Sequence, residues 1–351
     1  MKEMHLYGCA FISMKYPEGT PERGLQRLAV KYGGAAAVLV ANNTVVQIAV
    51  LVIIYAVIAA IPGGDTLLDR ETDAGFLFLI MLNEVVSYTV PLVTLYALFY
   101  RELKFEKTVR EPPGMLYDRF FGETALLYLG GTFTASCVGI ATNIVSGLLN
   151  RLFGIPETKT AFSNLMPQDL FCYVWFVAAI CFIGPVCEEV IFRHILLRPM
   201  RRYGDMTAAL MTALLFGLSH FNFDQFLYTF AFGFFLAVIT LRSGTVIPAI
   251  ICHVINNAIT VVQVYRPEST GAAALDSVLN SLSDILSLCS VIMMFAGIPA
   301  LIVIAVTRLL KLKNRSGIPV PKQLAVVLSD PLLIVSVVLS LVLAFADLYI
   351  E

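Results

Sequence analysis

Six residues carry the chemistry this sequence offers. Glu188, Glu189 and Arg193 lie in Gly184-Pro185-Val186-Cys187-Glu188-Glu189-Val190-Ile191-Phe192-Arg193. His220 closes Phe216-Gly217-Leu218-Ser219-His220, and His253 and Asn257 bracket His253-Val254-Ile255-Asn256-Asn257. All three stretches sit in apolar sequence that reads as membrane-spanning. A charge near the bilayer centre costs on the order of 3 kcal/mol by insertion scales. Such residues need a reason, either mutual pairing or a cavity walled off from lipid.

Spacing separates the two roles. Residues four apart share a helix face, whereas adjacent ones point about 100° apart. Glu189 and Arg193 are four apart with the acid first, the favoured order for a pair. They read as a structural support. Glu188 then turns to another side and has no partner in its own helix. His253 and Asn257 are also four apart and project into one space. Phe216 sits a turn before His220, placed to shield it. At about 1.5 Å of rise per residue, Glu188 lies roughly 15 Å from the basic edge of its span, His220 roughly 20 Å, and His253 and Asn257 roughly 10 and 16 Å. Four polar groups on three helices thus meet within about two turns of depth.

That set fits water attack on an amide carbonyl. A carboxylate in apolar surroundings serves as general base and then general acid. A histidine opposite it orients the water. A second histidine and an asparagine amide are donors for the oxyanion of a tetrahedral intermediate. No serine or cysteine nucleophile is needed, although Cys187 and Ser219 are adjacent. A zinc site using His220, His253 and a glutamate is the alternative donor arrangement, but HExxH is absent. A third reading is non-enzymatic, an immunity or membrane-binding protein or a proton-coupled transporter. No repeated halves of the kind expected for a transporter are visible.

The elements that must position these residues are spans. The 351 residues are 58% hydrophobic and 14% charged, against about 25% charged in soluble domains, with a mean hydropathy of +0.81. The expected fold is an all-α, polytopic helical bundle. Spans are expected at about 38–61, 76–99, 124–149, 170–197, 207–221, 225–241, 246–265, 285–307 and 331–349, the fifth and sixth forming a tight hairpin. Lysines and arginines in alternate loops total 19 on one side and 4 on the other when Arg193 is left inside a span. Positive loops stay cytoplasmic, so nine spans are expected (an eight-span count spoils the alternation), with the N-terminus cytoplasmic and the C-terminus outside. Residues 1–34 read as a cytoplasmic arm. Its helix starts at Thr20-Pro21, lies on the membrane surface and stops at Gly33-Gly34. Residues 35–351 form the transmembrane domain, with a catalytic core at about 170–265. Asn83 and Glu84 read as an interhelical hydrogen bond or a helix-end feature. The net charge of −1 gives no nucleic-acid signal, and the seven scattered cysteines form no CxxC pair. No cleavable signal peptide is expected.

Glu-Glu-x-x-x-Arg, Phe-x-x-x-His and His-x-x-x-Asn, in that order on successive membrane segments, resemble the CAAX protease and bacteriocin-processing family, the Abi or Rce1-like intramembrane endopeptidases. The resemblance covers roughly residues 170–265. It implies Glu188 as the base that activates water, aided by His220, with His253 and Asn257 as the oxyanion hole and Glu189 and Arg193 in support. It also implies a metal-independent enzyme without a cofactor. Its partners would be the lipid bilayer and a membrane-anchored or lipidated protein or peptide. Eukaryotic members cut prenylated proteins after the lipidated cysteine, and many bacterial members process peptides or are linked to bacteriocin immunity. The expected location is the cell membrane, as a multi-pass protein.

Overall fold

A computed structural model describes residues 15–62, 64, 72–106, 117–154, 169–264 and 273–347. The chain is all-α, and no strand occurs among the described residues. In chain order the helices are α1 (Pro21–Ala59), α2 (Asp73–Glu106), α3 (Tyr117–Phe153), α4 (Leu170–Met200), α5 (Asp205–Leu218), α6 (Phe223–Ser243), α7 (Ile247–Val264), α8 (Ala273–Thr307), α9 (Val320–Leu328) and α10 (Pro331–Asp347).

Six of them, α1, α2, α3, α4, α6 and α8, are long and apolar enough to cross a membrane, and α9 with α10, bent by 79°, makes a seventh candidate. Each of the nine expected apolar stretches is helical, but the count of nine full crossings is not reached. The stretches expected at 207–221 and 246–265 are helices of 14 and 18 residues. At 1.5 Å per residue they are roughly 21 and 27 Å long, short of the roughly 30 Å hydrocarbon core. The shorter one, α5, is buried along most of its length between its neighbours. It therefore needs little lipid contact. In α7, Ile247, Ile251 and Ile255 form an exposed stripe at four-residue spacing, and His253 lies on the buried side. This is the amphipathicity of a bundle in lipid, with the apolar stripe outward and the polar one inward.

The N-terminal helix departs from expectation. Thr20 caps it as anticipated, its hydroxyl accepting from the Arg23 N–H at 3.3 Å, with Pro21 in the first turn. The stop expected at Gly33-Gly34 is absent, and the helix runs on through a π-turn at Asn42–Val46 to Ala59. Leu25, Leu28, Ala29 and Tyr32 are buried in the protein instead of lying on a membrane surface. Gly33 has a packing role, because a Cβ there would sit 2.0 Å from Asp330 Oδ1 and 3.1 Å from the Leu333 backbone nitrogen. The missing side chain lets α10 approach α1, the usual use of small residues between membrane helices.

The basic loops gather at one end of the bundle. Lys322 Nζ donates to Glu22 at 2.8 Å, joining the start of α9 to the start of α1. Lys31 pairs with Glu102 at 2.8 Å, joining α1 to the end of α2. Arg242 pairs with Glu123 at 3.2 Å, joining the end of α6 to the start of α3. The Tyr203 carbonyl, between α4 and α5, accepts from the backbone nitrogens of Arg315 and Ser316, between α8 and α9.

Candidate functional site

The site is built around α4, whose backbone is irregular on both sides of Glu188. A π-turn spans Ala179–Ile183, a short α-turn Gly184–Glu189, and a second π-turn Val190–Leu196. Single π-turns inside helices concentrate at functional sites. Pro185 gives this one a local cause. In the π-turn the Gly184 N–H bonds the Ala179 carbonyl, five residues back. The next bond in that register would run from residue 185 to the Ile180 carbonyl, and proline has no N–H to give. Asn257 Nδ2 on α7 donates to that carbonyl at 3.1 Å. The asparagine thus ties α7 to α4 where α4 is short of a donor.

A chain of alternating polar groups runs inward from Glu188. Glu188 Oε1 accepts from the Tyr88 hydroxyl at 3.0 Å. Its Oε2 stands 3.6 Å from His253 Nε2, just beyond hydrogen-bond range. His253 Nδ1 donates to Glu189 Oε1 at 3.1 Å. Glu189 Oε2 faces Arg193 Nε at 3.2 Å, the pair read from the four-residue spacing. The side chains of Glu189 and Arg193 are 0% exposed and that of His253 5%, whereas Glu188 keeps 18%. Glu188 is therefore the outer end of the chain. The Arg193 guanidinium lies 5.0 Å from the Phe216 ring centre, which adds a cation–π contact to the buried pair.

His220 comes in through aromatic packing. The helix ends at Leu218, so His220 lies in the turn beyond it, not in the helix as read from sequence. Phe221 takes a left-handed φ of 48°, and Asn222 caps α6 by accepting from the Gln225 N–H. Nδ1 of His220 lies 2.8 Å from the Phe216 carbonyl. A carbonyl only accepts, so Nδ1 carries the proton and Nε2 is left for another partner. The Phe216 ring meets His220 and His253 edge to face, with centres 4.9 and 5.7 Å apart. One phenyl ring thus separates the two imidazoles. Ser219 Oγ donates to the Phe216 carbonyl.

Glu188 opens onto a polar cavity of about 140 Å³, lined also by Asn42 and Asn43 of α1, Glu84, Ser87 and Tyr88 of α2, Ile191 and Phe192 of α4, and Ser219. Such a volume has room for several waters. Sequence reasoning missed the contribution of α1 and α2. Asn83 does make the interhelical hydrogen bond expected of it, accepting from Gln47 Nε2. Glu84, given the same reading, lies on the cavity wall instead. The available signal was the spacing of Glu84 and Tyr88, one turn apart on one face of an apolar helix.

No curated protein and no solved structure matches the chain. A family model does, over residues 170–259, described as Rce1-like, type II CAAX prenyl endopeptidase. The matched segment holds α4 to α7 up to Ile259, including Glu188, Glu189, Arg193, His220, His253 and Asn257. Over that segment the chain is similar to the Rce1-like, type II CAAX prenyl endopeptidases.

Proposed function

We propose that the protein cuts a peptide bond of a membrane-anchored, lipidated protein or peptide with a water activated by Glu188. One observation carries this reading: Glu188 is the exposed end of an otherwise buried polar chain and faces a water-sized cavity inside the bundle. Glu188 takes a proton from the water as the oxygen attacks the scissile carbonyl, then returns it to the departing amine nitrogen. Tyr88 holds the carboxylate through its hydroxyl. His220, protonated at Nδ1, offers Nε2 to the same water. His253, in this reading protonated on both ring nitrogens, gives Nδ1–H to Glu189 and Nε2–H to the oxyanion, which the second amide proton of Asn257 also meets. The core at 170–265 does the chemistry, and the spans before and after it shape the entry.

The donor geometry supports a metal-free reaction. A zinc site draws on three or four ligands, and no group of three His, Cys, Asp or Glu side chains is placed to hold a metal among the described residues. His253 also already faces a glutamate with each ring nitrogen. The gathering of basic loops at one end supports the cytoplasmic placement of that end. The test is turnover of a farnesylated CAAX-type peptide by the detergent-purified protein, read by mass spectrometry before and after exhaustive chelation. Cleavage that survives chelation is expected. Loss on chelation with recovery on adding zinc contradicts the metal-free part, and no cleavage of any anchored peptide contradicts the reading itself.

A further inference from the structure

Glu84 is a second carboxylate at the site, and the mechanism above does not use it. Its Oε2 is out of solvent and has no hydrogen-bond partner. Buried carboxyl oxygens are ordinarily partnered, so this one calls for a cause. Tyr88 stands one turn further along the same helix, and both side chains converge on Gly184. An alanine methyl at 184 would lie 3.2 Å from Tyr88 Oη and 3.7 Å from Glu84 Oε2. Gly184 is itself one turn before Glu188. The glycine therefore makes the space in which Glu84, Tyr88 and Glu188 come together.

The groups facing Glu84 are few. Tyr88 comes from its own helix, and Glu188 and Cys187 come from α4. Asn42 and Asn43 of α1 and Ser219 at the end of α5 complete the polar wall, and His253 of α7 reaches Glu188 from behind. Among the described residues, no lysine or arginine lines the cavity. Two carboxylates facing one small, poorly solvated space repel each other, and the positive charge nearby, on Arg193, is paired with Glu189. A single proton held between them relieves that repulsion.

Building on the reading of Glu188 as the base, we propose that Glu84 keeps the shared proton and, through Tyr88, acts as the positioning residue that holds Glu188 ionised and oriented. Protonated Glu84 donates to Tyr88 Oη, and the Tyr88 hydroxyl donates to Glu188. The phenol has a single proton. When Glu84 ionises at high pH, it competes for that proton, and Glu188 loses its orienting bond. The singly protonated pair is the active form, so activity falls on both sides of an optimum. No proton is consumed by the relay itself. The proton taken from water still passes from Glu188 to the leaving nitrogen.

The experiment compares wild type, Glu84→Gln, Tyr88→Phe and Glu188→Gln, each full-length in detergent. Infrared spectroscopy reads the protonated-carboxyl stretching band with no substrate present. The pH dependence of kcat/KM is read on a farnesylated CAAX-type peptide. Glutamine at 84 still donates to Tyr88 but does not ionise. Glu84→Gln is therefore expected to lack the band and to lose the alkaline fall in activity. Tyr88→Phe, which keeps the ring and serves if Glu84→Gln fails to assemble, is expected to lower kcat about 10- to 100-fold with KM unchanged and to lose the same alkaline fall. An identical carboxyl band in wild type and Glu84→Gln overturns the proposal, as does an unchanged alkaline limb. Cleavage by Glu188→Gln instead overturns the reading of the base, and the infrared comparison then still decides the state of Glu84.

Discussion

At the scale of single residues, the site divides a pair of adjacent glutamates into two jobs by exposure. Glu189 is sealed between Arg193 and His253, and Glu188 reaches the cavity. A buried ion pair is weak support for stability, but leaving one member without the other is costly. Arg193→Met should thus destabilise the protein by about 3–5 kcal/mol. Adding Glu189→Gln should recover most of that loss in thermal melts of the detergent-solubilised protein. It should not recover full activity, because His253 has then lost the charge that anchors its ring. Full stability in the single variant contradicts this account of the pair. The division between Glu188 and Glu189 was legible in the sequence, since the four-residue step to Arg193 already assigns Glu189. The role of Tyr88 was not, because a tyrosine in an apolar helix is ordinary core until its hydroxyl is seen against a carboxylate 100 positions away.

At the scale of elements, the irregular backbone of α4 does the positioning. Pro185 withdraws one donor, Asn257 replaces it, and α7 is thereby registered against α4 with His253 beside Glu188. Asn257→Ala leaves a buried carbonyl unsatisfied and should cost about 1–3 kcal/mol. In a Pro185→Ala background the helix regains an N–H of its own, and the same substitution should cost measurably less. A double-mutant cycle on melting temperature reads the difference. Strict additivity contradicts the link between the proline and the asparagine. The sequence suggested that Pro185 frees a carbonyl, but it gave no sign of which side chain answers it. Contacts between helices depend on register, and register is not written in spacing within one helix. The same limit explains His220, whose helix stops three residues before the expected end at 221 because the following Asn222 begins the next one.

At the scale of the whole molecule, the all-α class and the existence of every expected apolar helix followed from hydropathy alone. Their lengths did not. Hydropathy does not distinguish a helix surrounded by protein from one surrounded by lipid, so the sheltered α5 was counted as a full crossing. The end of α1 was misread for a related reason. A pair of glycines marks a stop in solution, whereas Gly33 here marks the contact with α10. Gly33→Ala should accordingly lower the melting temperature, by overpacking worth about 1–3 kcal/mol. The loop contacts also predict sidedness. In a cysteine-free background, Lys311→Cys and Thr245→Cys should react with an impermeant thiol reagent from the same side of sealed vesicles, and Gln225→Cys from the other. Labelling of 245 and 311 from opposite sides contradicts the arrangement.

These scales meet in one assertion, that the bundle exists to present a single carboxylate to a water beside a lipid-anchored peptide. The most direct measurement is cleavage of a farnesylated CAAX-type peptide by wild type and by Glu188→Gln, both shown to be folded and monodisperse. Loss of a general base commonly lowers the rate by about 10²- to 10⁴-fold. The account predicts a cut peptide from wild type and a loss of that order in the variant, with peptide binding retained. Cleavage by Glu188→Gln at the wild-type rate contradicts it.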